Sequence, residues 1–277
     1  MEIIVAKSAG FCFGVKRAVD MAFDNKDKTN IFTYGPIIHN EVVTGKLADE
    51  GIYVLDDINE VENNNVQHLI IRSHGVGPEI YNVSNEKGIK IIDATCPYVK
   101  KIHNYVKKYH DNGYSIIIAG NKVHPEIIGI NGWANNTCII VKNVEELKQI
   151  SLNDDKYLLV AQTTYKRELV EQIKEYLKSK NINFEYINTI CSATRERQDE
   201  VVELAKVVDC MLVLGSSSSA NTAKLKEISA DHCDNTHCIN SYKEIDKAWL
   251  KGVNKVGITA GASTPQEVID EVVKYIK

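Results

Sequence analysis

The chain has 277 residues, 44% apolar and 25% charged, with a formal net charge of −4. This is an ordinary globular composition, long enough for two or three compact units. It offers no excess of positive charge to capture nucleic acid, and no apolar run approaches the ~20 residues of a membrane helix. The opening MEIIVAKSAG has neither the basic stretch nor the long apolar core of a secretory signal, so a cytoplasmic protein is expected.

One pattern recurs along the chain: a β-branched run, a small polar loop, then a helix-like segment. EIIVA leads through KSAGFCFG into a helix with Val15, Ala18, Val19, Ala22 and Phe23 on one face. Spacings of three and four mark an amphipathic helix. IFTYG leads to PIIHN, HLIIR to SHGVG, and IKIIDA to TCPYV, followed by a helix carrying Val99, Ile102, Val106 and Tyr109. YSIIIAG then leads to NKVHPE, KYLLVA to QTTYK, and FEYINTI to CSATRE. CMLVLG leads to SSSSAN and KVGITA to GASTPQ, giving nine such units. NEVENNN around Asn63 and SLNDDK around Asp154 read as surface loops. Alternating β and α segments imply an α/β fold of parallel sheets. Right-handed crossovers bring the loops of one sheet to one edge, beyond the strand C-termini, where ligands bind.

Seven cysteines, scattered and odd in number, argue against a disulfide framework. Cys138 in TCIIV and Cys210 in VDCMLVL lie in or beside apolar runs and read as buried filler. In HCDNTHC, Cys233 and Cys238 with their histidines could hold zinc. The favoured reading is a helix end and turn followed by a buried strand. Cys12, Cys96 and Cys191 differ, because each sits where a strand hands over to a helix, with separations of 84 and 95 residues. The expected architecture is three small α/β units, 14–96, 97–190 and 191–277, in a pseudo-threefold arrangement. A thiol at a helix start feels the positive end of the dipole, which favours the thiolate. Pro97 places Cys96 at such a start. Three thiolates would leave one iron of a 4Fe–4S cluster without a protein ligand.

The remaining loops carry polar donors: His39 in PIIHN, His74 in RSHGV, His124 in KVHPE, the run Ser216 to Ser219 with Asn221, and Ser263 in GASTP. Imidazole, hydroxyl and amide groups at helix N-termini suit an anion such as diphosphate. Neither GxxxxGK[ST] nor GxGxxG is present, which argues against a P-loop or ordinary dinucleotide enzyme. Glu126 is the loop acid that stands out as a proton donor, or as a helix-start acid. Thr163 and Thr164 in AQTT could orient a hydroxyl or cap the next helix.

GFCFGVKRA, RSHGV, DATCPYV, HPE, QTT, ICSATRERQ and TAGAS occur in order from about residue 8 to the end. Together they resemble the motif set of the LytB-type 4-hydroxy-3-methylbut-2-enyl diphosphate reductases. The resemblance implies one central 4Fe–4S cluster ligated by Cys12, Cys96 and Cys191. It also implies a diphosphate site of His39, His74, His124, Ser219, Asn221 and Ser263, with Glu126 as proton donor and Thr163 positioning the reacting hydroxyl. The first strand, within 1–13, would join the C-terminal unit. The implied reaction is reductive dehydroxylation to isopentenyl and dimethylallyl diphosphate, with a ferredoxin or flavodoxin as electron donor. Where many relatives have Ser-Ser-Asn, this chain has Ser219-Ala220-Asn221, so a hydroxyl is missing at Ala220. Two alternatives stand: another three-cysteine cluster enzyme such as a quinolinate-synthase-like dehydratase, and a non-catalytic iron–sulfur redox sensor.

Overall fold

A computed structural model describes residues 1–153, 155–216 and 219–277, and leaves the Ala220 side chain undescribed. Asp154, Ser217 and Ser218 therefore lie outside the described residues. In chain order the elements begin with β1 (Glu2–Val5), α1 (Phe13–Phe23), β2 (Ile31–Tyr34), α2 (Glu41–Asp49) and β3 (Tyr53–Leu55). They continue with β4 (His68–Ile71), α3 (Pro78–Glu86), β5 (Lys90–Asp93), α4 (Pro97–Asp111), β6 (Ser115–Ala119) and α5 (Pro125–Gly132). Next come β7 (Ile139–Val141), α6 (Val144–Lys148), β8 (Tyr157–Ala161), α7 (Arg167–Ser179) and β9 (Phe184–Tyr186). The last are α8 (Ser192–Ala205), β10 (Cys210–Leu214), α9 (Ala220–Ala230), β11 (Thr236–Ile239), β12 (Lys255–Ala260) and α10 (Gln266–Ile276). Among the described residues no helix is long and apolar enough to cross a membrane.

The strands form three four-stranded sheets, and the pairings within them are parallel. Their orders are β3-β2-β4-β5, β7-β6-β8-β9 and β1-β12-β10-β11. Numbering each sheet's strands in chain order, with β1 counted last in its sheet, all three follow one scheme, 2-1-3-4. In the last sheet β1 fills the fourth place, pairing Glu2 with Lys255 and Val5 with Ile258. The nine expected strands are all present. Three more, β3, β7 and β11, each line one edge of a sheet. TCIIV and THCIN already hinted at β7 and β11. β3 (YVL) escaped notice because it is three residues long, paired on one side, and exposes Tyr53 and Val54.

By packing, the chain divides into two compact units. One comprises Met1–Val19, Ile38–Asp49 and Ser192–Lys277, and holds the β1-β12-β10-β11 sheet. Within it Leu212 and Leu214 of β10 pack with Ile269 and Val272 of α10, while Val213 faces Val201 of α8. Alternate residues of a strand face opposite ways, so a strand covered on both faces reads as one continuous apolar run.

The other unit comprises Asp20–Ile37 and Glu50–Cys191 and holds the remaining two sheets. In its β6 and β8, Ile117 and Leu159 meet Val170 and Ile173 of α7. Ile116, Ile118, Leu158 and Val160 turn the other way, onto Ile102 and Val106 of α4 and Ile127 and Ile130 of α5. Each such fully buried side chain contributes roughly 1.5–3 kcal/mol. Helix α5 also lies against the loop after β4. A Cβ on Gly129 would stand 3.2 Å from the Val76 Cα, and one on Gly132 would stand 2.9 Å from the Gly77 Cα. The Trp133 indole donates to the Val76 carbonyl at 2.9 Å across the same contact. Gly132→Ala is therefore expected to cost about 1–3 kcal/mol in denaturant unfolding, because backbone must shift. Gly45→Ala, in α2 with no atom within 4 Å of its added Cβ, should leave stability equal or raised by roughly 0.5–1 kcal/mol.

Candidate active site

The shared strand order sorts the candidate residues. Loops after the first and third strands of each sheet, the two central ones, carry the polar donors. These are PIIHN after β2 and RSHGV after β4, NKVHPE after β6 and QTT after β8, and the serine loop after β10 and GAS after β12. This pair of strands flanks the switch in strand order, the usual binding edge of a doubly wound sheet. The fourth strand of each sheet, β5, β9 or β1, leads instead to a cysteine: Cys96, Cys191 or Cys12.

All three of these cysteines are partly exposed thiols outside any disulfide. Cys96 is the N-cap of α4, with Pro97 at the first helical position, and its side chain makes no capping hydrogen bond. Its N–H donates to the Ser73 carbonyl at 3.0 Å. The Cys191 N–H donates to the Thr163 carbonyl at 2.9 Å, and the Cys12 N–H to Ala262 at 3.3 Å. The other cysteines sit differently. Burial pushes the Cys138 thiol up to about 12, that of Cys210 up to about 11, and that of Cys238 upward. Cys233 is buried with its sulfur near the Val208 and Asn235 carbonyls. Its neighbour His237 stacks on Trp249 at 3.7 Å and bonds Asn235. This is the turn and strand favoured for HCDNTHC.

Glu126 lies in the first turn of α5 and is 3% exposed. The Thr163 N–H donates to its Oε1 and the Thr163 hydroxyl to its Oε2, both at 2.7 Å. Burial pushes the Glu126 carboxyl above its usual range, outweighing these two bonds, which pull it down. Thr163 thus holds the carboxyl with its N–H and hydroxyl while its carbonyl holds the Cys191 backbone. It is not a helix cap, since α7 starts at Arg167 behind Lys166. Gln162 braces the same loops, accepting from Asn121 N–H at 3.1 Å and reaching Thr164 Oγ1 at 3.2 Å.

His124 is the N-cap of α5, and its Nδ1 accepts from the Glu126 N–H at 3.1 Å. That bond puts the neutral ring's hydrogen on Nε2, the donor an anion needs. His74 meets His124 edge-on, with ring centroids 5.4 Å apart. In the other unit, His39 is half-exposed ahead of α2. Beside it Asn40 accepts from Val43 N–H at 3.1 Å and donates to the Ser263 carbonyl at 2.9 Å, tying these two loops together. Ser219 caps α9, its hydroxyl accepting from Thr222 N–H at 3.4 Å. Asn221 is 5% exposed, and both its amide atoms are buried without a hydrogen-bond partner among the described residues. Leaving such a group unsatisfied costs about 1–3 kcal/mol.

Several supporting residues escaped the sequence reading. Asp93, at the end of β5, accepts from Thr95 N–H at 3.0 Å and Tyr81 Oη at 3.1 Å, and pairs with Lys100 at 2.6 Å. Burial raises its carboxyl, but bonds from Lys100 and Thr95 outweigh that and hold it below its usual range. His103, 3% exposed and stacked on Trp133 at 5.5 Å, is pushed down to about 4 by burial and stays neutral. Its ring fills the space beside Gly75, whose φ of +72° admits no ordinary side chain. Arg197, 4% exposed, donates to the Gly10 carbonyl at 2.6 Å, and Glu200 accepts from the Lys7 and Ser8 N–H groups. Both brace the loop ahead of Cys12. The signal for Arg197 was present: it shares the buried stripe Thr194, Arg197, Val201, Leu204 of α8, and a charge on a buried face needs partners.

Cys12, Cys96 and Cys191 each offer the ligand type that an iron–sulfur cluster takes. All three thiols stand at helix starts, where the positive end of the helix dipole favours the thiolate a cluster requires. The LytB protein family model matches residues 3–277. The 4-hydroxy-3-methylbut-2-enyl diphosphate reductase of Clostridioides difficile (strain 630) is 45% identical, over 100% of this chain and 99% of its own. That of Caldanaerobacter subterraneus subsp. tengcongensis is 46% identical, over 100% and 97%. A solved structure of (E)-4-hydroxy-3-methyl-but-2-enyl diphosphate reductase, the terminal enzyme of the non-mevalonate pathway, matches with a TM-score of 0.75 at 38% identity. It covers 100% of this chain and 99% of that one. The corresponding reductase from Plasmodium falciparum matches with a TM-score of 0.90 at 34% identity, over 99% and 86%. With strand order, motifs and full-length similarity in agreement, the chain belongs to the LytB protein family.

Proposed function

We propose that this chain is a 4-hydroxy-3-methylbut-2-enyl diphosphate reductase. It would convert (E)-4-hydroxy-3-methylbut-2-enyl diphosphate to isopentenyl and dimethylallyl diphosphate, the last step of the non-mevalonate isoprenoid route. The observation that carries the reading is the buried Glu126 carboxyl, held at both oxygens by Thr163, whose carbonyl accepts from Cys191 N–H. In this reading the chain comprises three α/β units, 14–96, 97–190 and 191–277, with 1–13 joining the third. Cys12, Cys96 and Cys191 hold one 4Fe–4S cluster. When bound, that cluster supplies the electrons for C–O cleavage and one iron without a protein ligand as Lewis acid.

The chain's own residues do the rest. His39, His74, His124, Ser219, Asn221 and Ser263 bind the diphosphate and so orient the distant alcohol carbon. Glu126 enters the reaction protonated, as its burial favours. The Thr163 hydroxyl turns about its C–O bond to accept that proton and pass its own to the substrate hydroxyl. The hydroxyl leaves as water. A second proton, taken at either end of the allylic fragment, decides between the two products. The electron donor is a ferredoxin or flavodoxin, and the protein works in the cytoplasm. Anaerobically purified protein should form both diphosphates from the alcohol when given reduced methyl viologen. Absence of either product with iron and sulfide fully loaded would sink the proposal.

A further inference from the structure

We propose that the face of α4 running from exposed Tyr98 through Lys101 and half-buried Tyr105 to exposed Lys108 is the docking surface for a small acidic one-electron carrier protein. The inference rests on the dehydroxylation reading, because that reaction consumes electrons the chain must receive from outside. Per turnover, two reduced carriers each lose one electron. With two protons, the substrate's C–O bond breaks, a C–H bond forms, and the oxygen leaves as water.

Helix α4 opens at Cys96. Its buried face is Val99, Ile102, His103 and Val106. The opposite face repeats at three and four residues as Tyr98, Lys101, Asn104, Tyr105 and Lys108, about 15 Å from its first residue to its last. Tyr98, directly after Pro97, is 50% exposed, and Lys101 lies over the Tyr105 ring at 5.7 Å. Helix α5 packs beside α4 and exposes Ile128, with Val123 exposed just ahead of it. Exposed apolar side chains next to unpaired lysines are the materials of a protein interface.

The charges on α4 fall into two sets. Lys100 pairs with Asp93 and Lys107 with Asp111, on the flanks. Lys101 and Lys108, on the stripe, have no carboxylate within ion-pair distance among the described residues. Next to Lys108, Tyr109 donates to Glu185, which also accepts from the Tyr114 hydroxyl. The chain as a whole carries −4 and so repels an acidic carrier at long range. Capture then depends on a locally positive face, and screening confines that face's reach to about 8–10 Å. A stripe that starts at a cluster cysteine meets both needs: it attracts an acidic surface, and it keeps the electron's path short.

The test uses cluster-loaded protein carrying Lys101→Glu and Lys108→Glu. Turnover is measured with a reduced acidic ferredoxin and, in parallel, with reduced methyl viologen. The expected result is a rise of roughly tenfold or more in the KM for ferredoxin, with viologen-driven turnover not lowered. The Lys101→Arg, Lys108→Arg protein should behave as the unmodified one. Raising salt should weaken ferredoxin use by the unmodified protein more than by the charge-reversed variant. An unchanged KM for ferredoxin overturns the proposal. So does loss of affinity for poly(U) RNA with that KM unchanged, which would make the stripe a nucleic-acid surface. An unmodified protein inactive with viologen would instead refute the parent reading, and this one with it.

Discussion

Glu126→Gln is expected to lower turnover by about 10²–10⁴-fold while leaving iron, sulfide and fold unchanged. Glutamine keeps the size of the side chain and an oxygen for the Thr163 N–H. Its amide donates to the Thr163 hydroxyl, which turns to accept, so the contact survives and only the transferable proton is lost. Wild-type turnover should also fall as pH rises through the raised carboxyl value, because the protonated form is the active one. The variant should lack that limb. The same group links pH to stability with a definite sign. The folded state holds this proton more tightly than the unfolded chain, whose value is near 4.5. The stabilisation is therefore complete below that value and is lost as pH rises through the higher folded one. A variant that turns over normally removes Glu126 from the chemistry.

The second large effect concerns the thiols. Serine at Cys12, Cys96 or Cys191 should each cut cluster content well below the roughly four irons and four sulfides of a full 4Fe–4S site, and bleach the protein. Alanine at Cys138 or Cys210 should leave the iron count intact and cost only about 1 kcal/mol of stability, since Cys210 fills β10 and Cys138 packs against the core just ahead of β7. Iron analysis with the visible spectrum separates the two groups. Full iron in the Cys96→Ser protein would refute the ligand set.

Much of this was readable along the chain. A parallel strand buried on both faces must be apolar throughout, which is why IIIA, YLLVA and CMLVL announced β6, β8 and β10. Pro97 announced the helix at Cys96 because proline loses nothing at a first helical position. Weak edge strands announced themselves less. β3 offers three residues with one partner strand, too few to impose a period-two pattern. The bracing of the site was hidden for another reason. Asp93, His103 and Gln162 look like unremarkable strand-end, helix and loop residues until their partners are known.

Local chemistry alone, then, determined the strand–loop–helix units, the parallel sheets and the thiols at helix starts, because these follow from periodicity, capping and dihedral preference over a few residues. Tertiary structure alone decided that each cysteine follows the fourth strand of its sheet while the polar loops follow the two central ones. It alone closed Thr163 over Glu126 across 37 residues. Burial, which raises that carboxyl and orphans the Asn221 amide, depends on neighbours brought in from distant sequence, and no local pattern encodes it.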